Sequence, residues 1–398
     1  MYSKGVFFSA ILRAIVVFLL LGGGITPAQD NSRSVLTKLK DFVIYKDTAF
    51  YSSFPSVIRK KNGELFIAFR RAPNRVLYGR KSNIHIDPNA CLVSVRSIDG
   101  GATWSEKPKL LFAHPFGGSQ DPCLLPLSDG SILCASFLWS YVGGDTLRMP
   151  WFDKNSFRDD HALSGGYITK SYDGGDHWVQ LNDPPTIPLE PRLTPTGKPL
   201  PAYNRGALLE HKSGRMFWAV TGKVPDIDSP NSVHLLASDD GGETWDYQSE
   251  IASDEKIVFN ETSLYETPTG RIVAFMRTSN HADQACMAVS EDGGKSFGSW
   301  TSMGFKGHPL QALRLPDNRV LLVYGYRHKP YGIRARVLDA ECTDYMESEE
   351  FVIRDDGGTP DLGYPWSVML DGNNVLVVYY FNNKNGIRYI GGSILEVQ

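Results

Sequence analysis

Charge of one sign, closely spaced cysteines and long apolar runs are all scarce in this chain. Its 41 basic and 44 acidic residues nearly cancel. No surplus of positive charge is left to hold a polyanion, which argues against a nucleic-acid partner. The five cysteines, Cys91, Cys123, Cys134, Cys286 and Cys342, are far apart, and no C-x-x-C occurs. The usual zinc spacings are therefore missing, and neither a metal nor a cofactor is expected. Buried apolar thiols are the simplest reading, with one disulfide left open after export. Beyond the N-terminus no segment approaches the ~20 apolar residues of a membrane-spanning helix, so no stable membrane insertion is expected.

The N-terminus does carry a short apolar run, Ala14 to Gly24, flanked by Lys4 and Arg13. Thr26-Pro27-Ala28 then supplies small residues for cleavage before Gln29. Residues 1–28 read as a signal peptide and predict a secreted or periplasmic protein; an uncleaved anchor is the alternative, for which the run is short. The remainder, 29–398, shows no linker or shift in composition and reads as one domain, expected to be a monomer. The Pro-rich stretch 179–202 reads as a long surface loop.

Glycines number 38 and aromatics make up 12 % of the chain, a composition suited to short strands and tight turns. A motif S-x-D-x-G-x-T-W recurs four times, as Ser97–Trp104, Ser171–Trp178, Ser238–Trp245 and, with Ser296 and Phe297, Ser290–Phe297. The Asp can accept turn N–H groups, the Gly supplies positive φ, and the aromatic packs where the next strand starts. A second repeat consists of six apolar hairpins. Their turns are Lys61–Gly63, Ser128–Gly130, Lys212–Gly214, Pro268–Gly270, Pro316–Asn318 and Asp371–Asn374. Four hairpins precede the Asp motif, the fifth precedes a degenerate copy at Asp339–Asp344, and the sixth precedes the last strand. The reading is all-β: a six-bladed β-propeller of about four strands per blade. Its last blade is one strand short, and Phe42–Tyr45 can fill the gap and close the ring.

In such a ring the Asp motifs and hairpin turns share one face. The opposite face holds the residues leading into each first strand and the loops from second to third strand. Nine positions before the turn glycine stand Phe54, Asp121, Arg205 and Glu261; the corresponding places in the last two blades are Pro309 (after His308), nine before Asn318, and Tyr364, eight before Gly372. A ring of Asp, Arg, Glu, His and Tyr about one axis is not core composition. The second strands end on the same face with Arg70 or Arg71, Arg277 and Arg327, and the first blade adds His85-Ile86-Asp87. Carboxylates for proton transfer and guanidiniums for an anionic group form a coherent site.

Along the whole mature chain these features resemble the sialidase superfamily, whose Asp boxes the Ser-x-Asp motif matches. Asn260-Glu261-Thr262 through Gly270-Arg271 to Met276-Arg277 is similar to the segment carrying the carboxylate partner of the nucleophile and an arginine of the substrate-carboxylate triad. Gly363-Tyr364 sits like the tyrosine nucleophile, and Asp87 like the acid/base. The resemblance implies an exo-acting retaining glycoside hydrolase on a glycan or glycoconjugate, with catalytic Asp87, Glu261 and Tyr364. Such tyrosine nucleophiles depart from the usual two-carboxylate scheme. Arg71, Asp121, Arg205, Arg277, His308, Arg327 and Arg334 are then candidates for binding a terminal, acidic sugar. Ser53 stands where the resemblance calls for the first triad arginine, and Arg327 and Arg334 both lie near the third. A glycan-binding propeller without turnover, and a glycosidase or lyase of other sugar specificity, use the same features.

Overall fold

The structure is a computed structural model that describes residues 35–143, 151–158, 160–382 and 386–398; the expected signal peptide lies outside them. Six antiparallel sheets follow one another along the chain. The first blade is Phe50–Arg59, Leu65–Pro73, Cys91–Ser97 and Lys109–Phe112, in that spatial order. Blades three, four and five repeat the pattern through Leu209–Ala252, Phe259–Lys306 and Leu310–Arg354. In the second blade the inner strand is interrupted: Gly118–Ser119 and Cys123–Pro126 both pair with Ile132–Tyr141.

The sixth blade contributes Gly363–Met369, Asn374–Asn382 and Arg388–Val397, and the N-terminal strand Leu36–Tyr45 lies antiparallel on the last of these. The ring thus closes as the missing strand predicted, with a longer strand than Phe42–Tyr45. The second strands read as continuous apolar runs because both faces of each sheet are covered by neighbouring blades. Val320, Leu321, Leu322, Val323 and Tyr324 are all fully buried.

The Asp boxes stitch blade to blade. In the first, Asp99 accepts from the Ser97 hydroxyl at 2.7 Å and the Thr103 amide at 2.9 Å. The degenerate copy keeps this clasp, since Asp339 accepts from the Thr343 amide and hydroxyl, with Cys342 taking the positive φ of 57°. The second glycine of a box also lets neighbouring blades approach. A Cβ at Gly242, whose φ is +82°, would stand 2.5 Å from Leu133 of the second blade. Its neighbour Gly241 accepts from Lys170 at 2.8 Å.

All five cysteines are free and four are buried, so the disulfide left open does not form. The Pro-rich stretch is a long loop beyond its first two residues, and it is pinned in place. Val179–Gln180 is an outer strand, and Arg192, 1 % exposed, is clamped by Glu190 at 2.7 Å. Among the described residues no helix is long and apolar enough to cross a membrane.

Candidate active site on the propeller axis

The inner strands of three blades break register at one level. Shifts occur between Ser53 and Ser56, Phe259 and Thr262, and Gly363 and Trp366. A bulge adds a residue to one strand and re-aims its side chain. Phe54, Glu261 and Tyr364 fall in these interruptions, Phe54 and Tyr364 with φ of 56° and 54°. All three turn into a cavity of about 420 Å³ on the axis. Asp121 lies in the gap of the second blade's inner strand and lines the same cavity, with Arg205, Arg277 and Arg327.

The tightest contact in this cavity is the Tyr364 hydroxyl donating to Glu261 Oε1. Arg277 donates to both Glu261 oxygens, at 2.8 and 3.0 Å, and to Tyr364 Oη at 3.2 Å. Burial would raise the Glu261 carboxyl, but the Arg277 charge and the Tyr364 hydroxyl outweigh it and hold the group below its ordinary value. Burial and then the Glu261 charge push the Tyr364 phenol well above its ordinary value. The resting pair is therefore a phenol on a carboxylate.

Two more guanidiniums flank the Tyr364 ring, Arg205 at 4.5 Å and Arg327 at 5.1 Å from its centroid. Arg327 is held by the Leu362 carbonyl and the Tyr380 hydroxyl. Nε and Nη1 of Arg205 are buried without a partner among the described residues. A buried donor left unpaired is costly, and an anionic or hydroxyl-rich ligand would satisfy it.

Four sequence candidates lie elsewhere. Asp87 is 3 % exposed, gripped by Arg75 at 2.6 and 2.8 Å and by the Asn89 amide, and does not line the cavity. Burial works against its charge, but these donors keep its carboxyl below the ordinary range, the wrong direction for a proton donor. Arg71 turns outward over the Phe50 ring at 4.3 Å, because strand alternation sends Arg70 inward instead. Arg334 is spent on the Pro330 and Ile333 carbonyls and on Glu350. His308, 3 % exposed, is off the cavity wall and is kept neutral by burial.

The cavity wall also contains uncharged residues outside the charged ring: Gln120, Phe137, Trp139, Tyr203 and Asn204, with Asn260 next to Glu261. Phe137 and Trp139 lie in the last half of the second strand of blade two, Ile132–Tyr141, where other blades carry arginines. His85 lines the cavity and its Nε2 lies 3.0 Å from Asp361. Asp361 also accepts from Tyr51, Tyr380 and Arg388, tying the first blade to the last.

Fold and site together define a six-bladed propeller with a polar, aromatic-walled pocket on its axis. Residues 145–377 match the BNR repeat-like domain. The chain belongs to that family, and its fold is that of the sialidases. A sialidase of Micromonospora viridifaciens is 25 % identical over 266 residues, 65 % of this chain and 38 % of that protein; the chain thus matches well under half of that relative. A Dyadobacter fermentans protein of unknown function is 54 % identical, with a TM-score of 0.89 over 92 % of this chain and 100 % of that one. At 14 % identity the fold is shared with the NanB sialidase of Streptococcus pneumoniae (TM-score 0.61, 89 % of this chain and 70 % of that one). It is shared equally with an alpha-L-arabinanase of Penicillium chrysogenum (0.63, 91 % and 99 %).

Proposed function

We propose that the protein is an exo-acting glycoside hydrolase that removes a terminal sugar through a tyrosyl–enzyme intermediate. The observation that carries this reading is the Tyr364 hydroxyl donating to Glu261 inside the axial pocket, with Arg277 bracing both. A phenol is a poor nucleophile at neutral pH, and an adjacent carboxylate that takes its proton activates it. Tyr364 Oη attacks the anomeric carbon as Glu261 accepts the phenolic proton. Arg277 stabilises the negative charge that passes between the two. A neutral nucleophile also avoids repelling a carboxylate on the sugar. Arg205 and Arg327, on either side of the Tyr364 ring, favour a sugar bearing an anionic group.

Phe54 fills the first-blade side of the pocket, next to Ser53. It packs on Tyr364 at 4.7 Å and on Tyr380 at 5.1 Å, while Ser53 is buried beside it. The first blade thus offers the sugar an apolar surface. The test is a panel of 4-methylumbelliferyl glycosides of sialic acid, uronic acids and neutral sugars, with natural glycans beside them. Release of one terminal sugar by the wild type, abolished in Tyr364→Phe, supports the proposal. Binding without cleavage across the panel refutes it in favour of a glycan-binding propeller.

A further inference from the structure

With Asp87 committed to Arg75, the pocket needs another group to protonate the departing oxygen. We infer that Asp121 is that proton donor and, in the second half of the reaction, the base that activates water; this rests on the hydrolase reading above. Asp121 and Glu261 are the two carboxyl groups on the cavity wall. They occupy corresponding places, leading into the inner strands of blades two and four. Their surroundings are opposite. Both oxygens of Glu261 are taken by Arg277, and Oε1 also by Tyr364. Asp121 is 4 % exposed, and no described residue donates to its carboxyl oxygens. A nearly buried carboxyl that faces a pocket without donors of its own is one that can keep a proton and hand it on.

The local charges agree. Burial raises Asp121, and the Glu261 charge raises it further; Arg205, Arg70 and Arg327 pull it down, leaving it near 7. The neighbouring Tyr364 is uncharged at rest. Two carboxyls whose environments drive their proton affinities apart divide acid and base roles between them. His85, the histidine on the wall, has its proton affinity lowered by burial and suits a donor less well at neutral pH.

The steps balance. As the bond from the anomeric carbon to Tyr364 Oη forms, the bond to the leaving oxygen breaks. The phenolic proton goes to Glu261, and the Asp121 proton goes to the leaving oxygen. The Asp121 carboxylate then takes a proton from water as the water oxygen attacks the anomeric carbon. The bond to Tyr364 Oη breaks, and Glu261 returns its proton to the phenolate. Asp121 belongs to the wall that also carries Gln120, Phe137 and Trp139, which places the leaving group on the side of blade two.

The experiment compares wild type, Asp121→Asn, Asp87→Asn and His85→Gln. The substrates are a 4-methylumbelliferyl glycoside that the wild type cleaves and the methyl glycoside of the same sugar. For Asp121→Asn, kcat on the methyl glycoside should fall by roughly 10²–10⁴-fold, with a far smaller loss on the umbelliferyl substrate. Added azide should restore turnover, and the loss of wild-type activity above pH 7 should vanish from the profile. Infrared difference spectra at pH 6 should show a protonated-carboxyl band in the wild type that Asp121→Asn lacks.

Equal losses on both substrates with a raised KM would make Asp121 a binding residue only and overturn the inference. So would a leaving-group-dependent loss in Asp87→Asn or His85→Gln instead. A fully active Tyr364→Phe beside the predicted Asp121→Asn behaviour would sink the nucleophile and leave the donor standing. A wild type inert on the whole panel removes the reaction and the donor with it.

Discussion

Replacing Glu261 by Gln should separate what this carboxylate does for the fold from what it does for the reaction. The substitution keeps the shape and one acceptor oxygen, so Tyr364 and Arg277 each retain a partner; what disappears is the negative charge facing the Arg277 guanidinium at 2.8 and 3.0 Å. Removing one member of a fully buried ion pair costs about 3–5 kcal/mol. Glu261 and Arg277 keep 13 % and 18 % exposure through the open cavity, so about 2–3 kcal/mol is the figure to expect. Unfolding roughly 360 residues carries an entropy of about 0.76 kcal/mol/K, so Tm should drop by about 3–4 °C. The loss in kcat should be far larger, about 10²–10⁴-fold, because the phenolic proton has nowhere to go. Differential scanning calorimetry reads the first number and initial rates on the best panel substrate read the second. A kcat within twofold of wild type, together with the predicted fall in Tm, would show that Glu261 is a structural counter-ion and refute the base assignment.

Other consequences follow from the same contacts. Asp87→Asn should lower Tm by loosening the Arg75 clamp while leaving kcat on the methyl glycoside nearly unchanged. Gly242→Ala meets both positive φ and Leu133 at 2.5 Å. It should cost about 2–4 kcal/mol, the sum of left-handed strain and overpacking. Gly293→Ala has φ +73° and open space around its Cβ and should cost only about 1–2 kcal/mol; equal losses in urea melts would show that inter-blade contact at the box glycine is unimportant. Asp240→Ala should remove on the order of 1 kcal/mol and leave turnover per folded molecule unchanged.

Acid stability offers an independent check on the Asp boxes. Asp99 and Asp292 are held at about 2, below the ordinary 3.8, by hydrogen bonds from Thr103 and Ser296. A carboxyl depressed in the folded state stabilises it above the unfolded value and loses that contribution as pH falls through the folded one. Their stabilisation should therefore fade between about pH 4 and pH 2. Asp99→Asn and Asp292→Asn should lower Tm above pH 5 and flatten its acid limb, so that their curves approach that of the wild type near pH 2.

The repeats made the fold legible, because each copy carries its own local reason for the turn: Ser97, Asp99, Gly101 and Trp104 are the clasp, the positive φ and the packing aromatic in one string. The missing strand of the last blade was equally readable, since a ring must close. Counting back from the hairpin glycines also found Glu261 and Tyr364, whose bulges fall at corresponding levels in their blades. The count could not show which loop residues turn inward. Asp87 has an arginine twelve positions away, Arg75, that takes its carboxylate, and nothing in the spacing announces that pair. Arg70 and Arg71 differ only in strand parity, which needs the register with Ser53 and Ser52 to resolve. Trp139, Tyr203 and Asn204 carry no charge to mark them in the sequence, whereas a sugar pocket is built as much from rings and amides.

The central claim is that Tyr364 forms a covalent bond to the sugar. A fluorinated mechanism-based glycoside of the sugar that the panel identifies, incubated with the protein and followed by peptide mass spectrometry, tests it directly. One equivalent of label is expected on the peptide containing Tyr364, absent in Tyr364→Phe and slowed in Glu261→Gln. Label on Glu261 or Asp121, or time-dependent inactivation that persists in Tyr364→Phe, would contradict it.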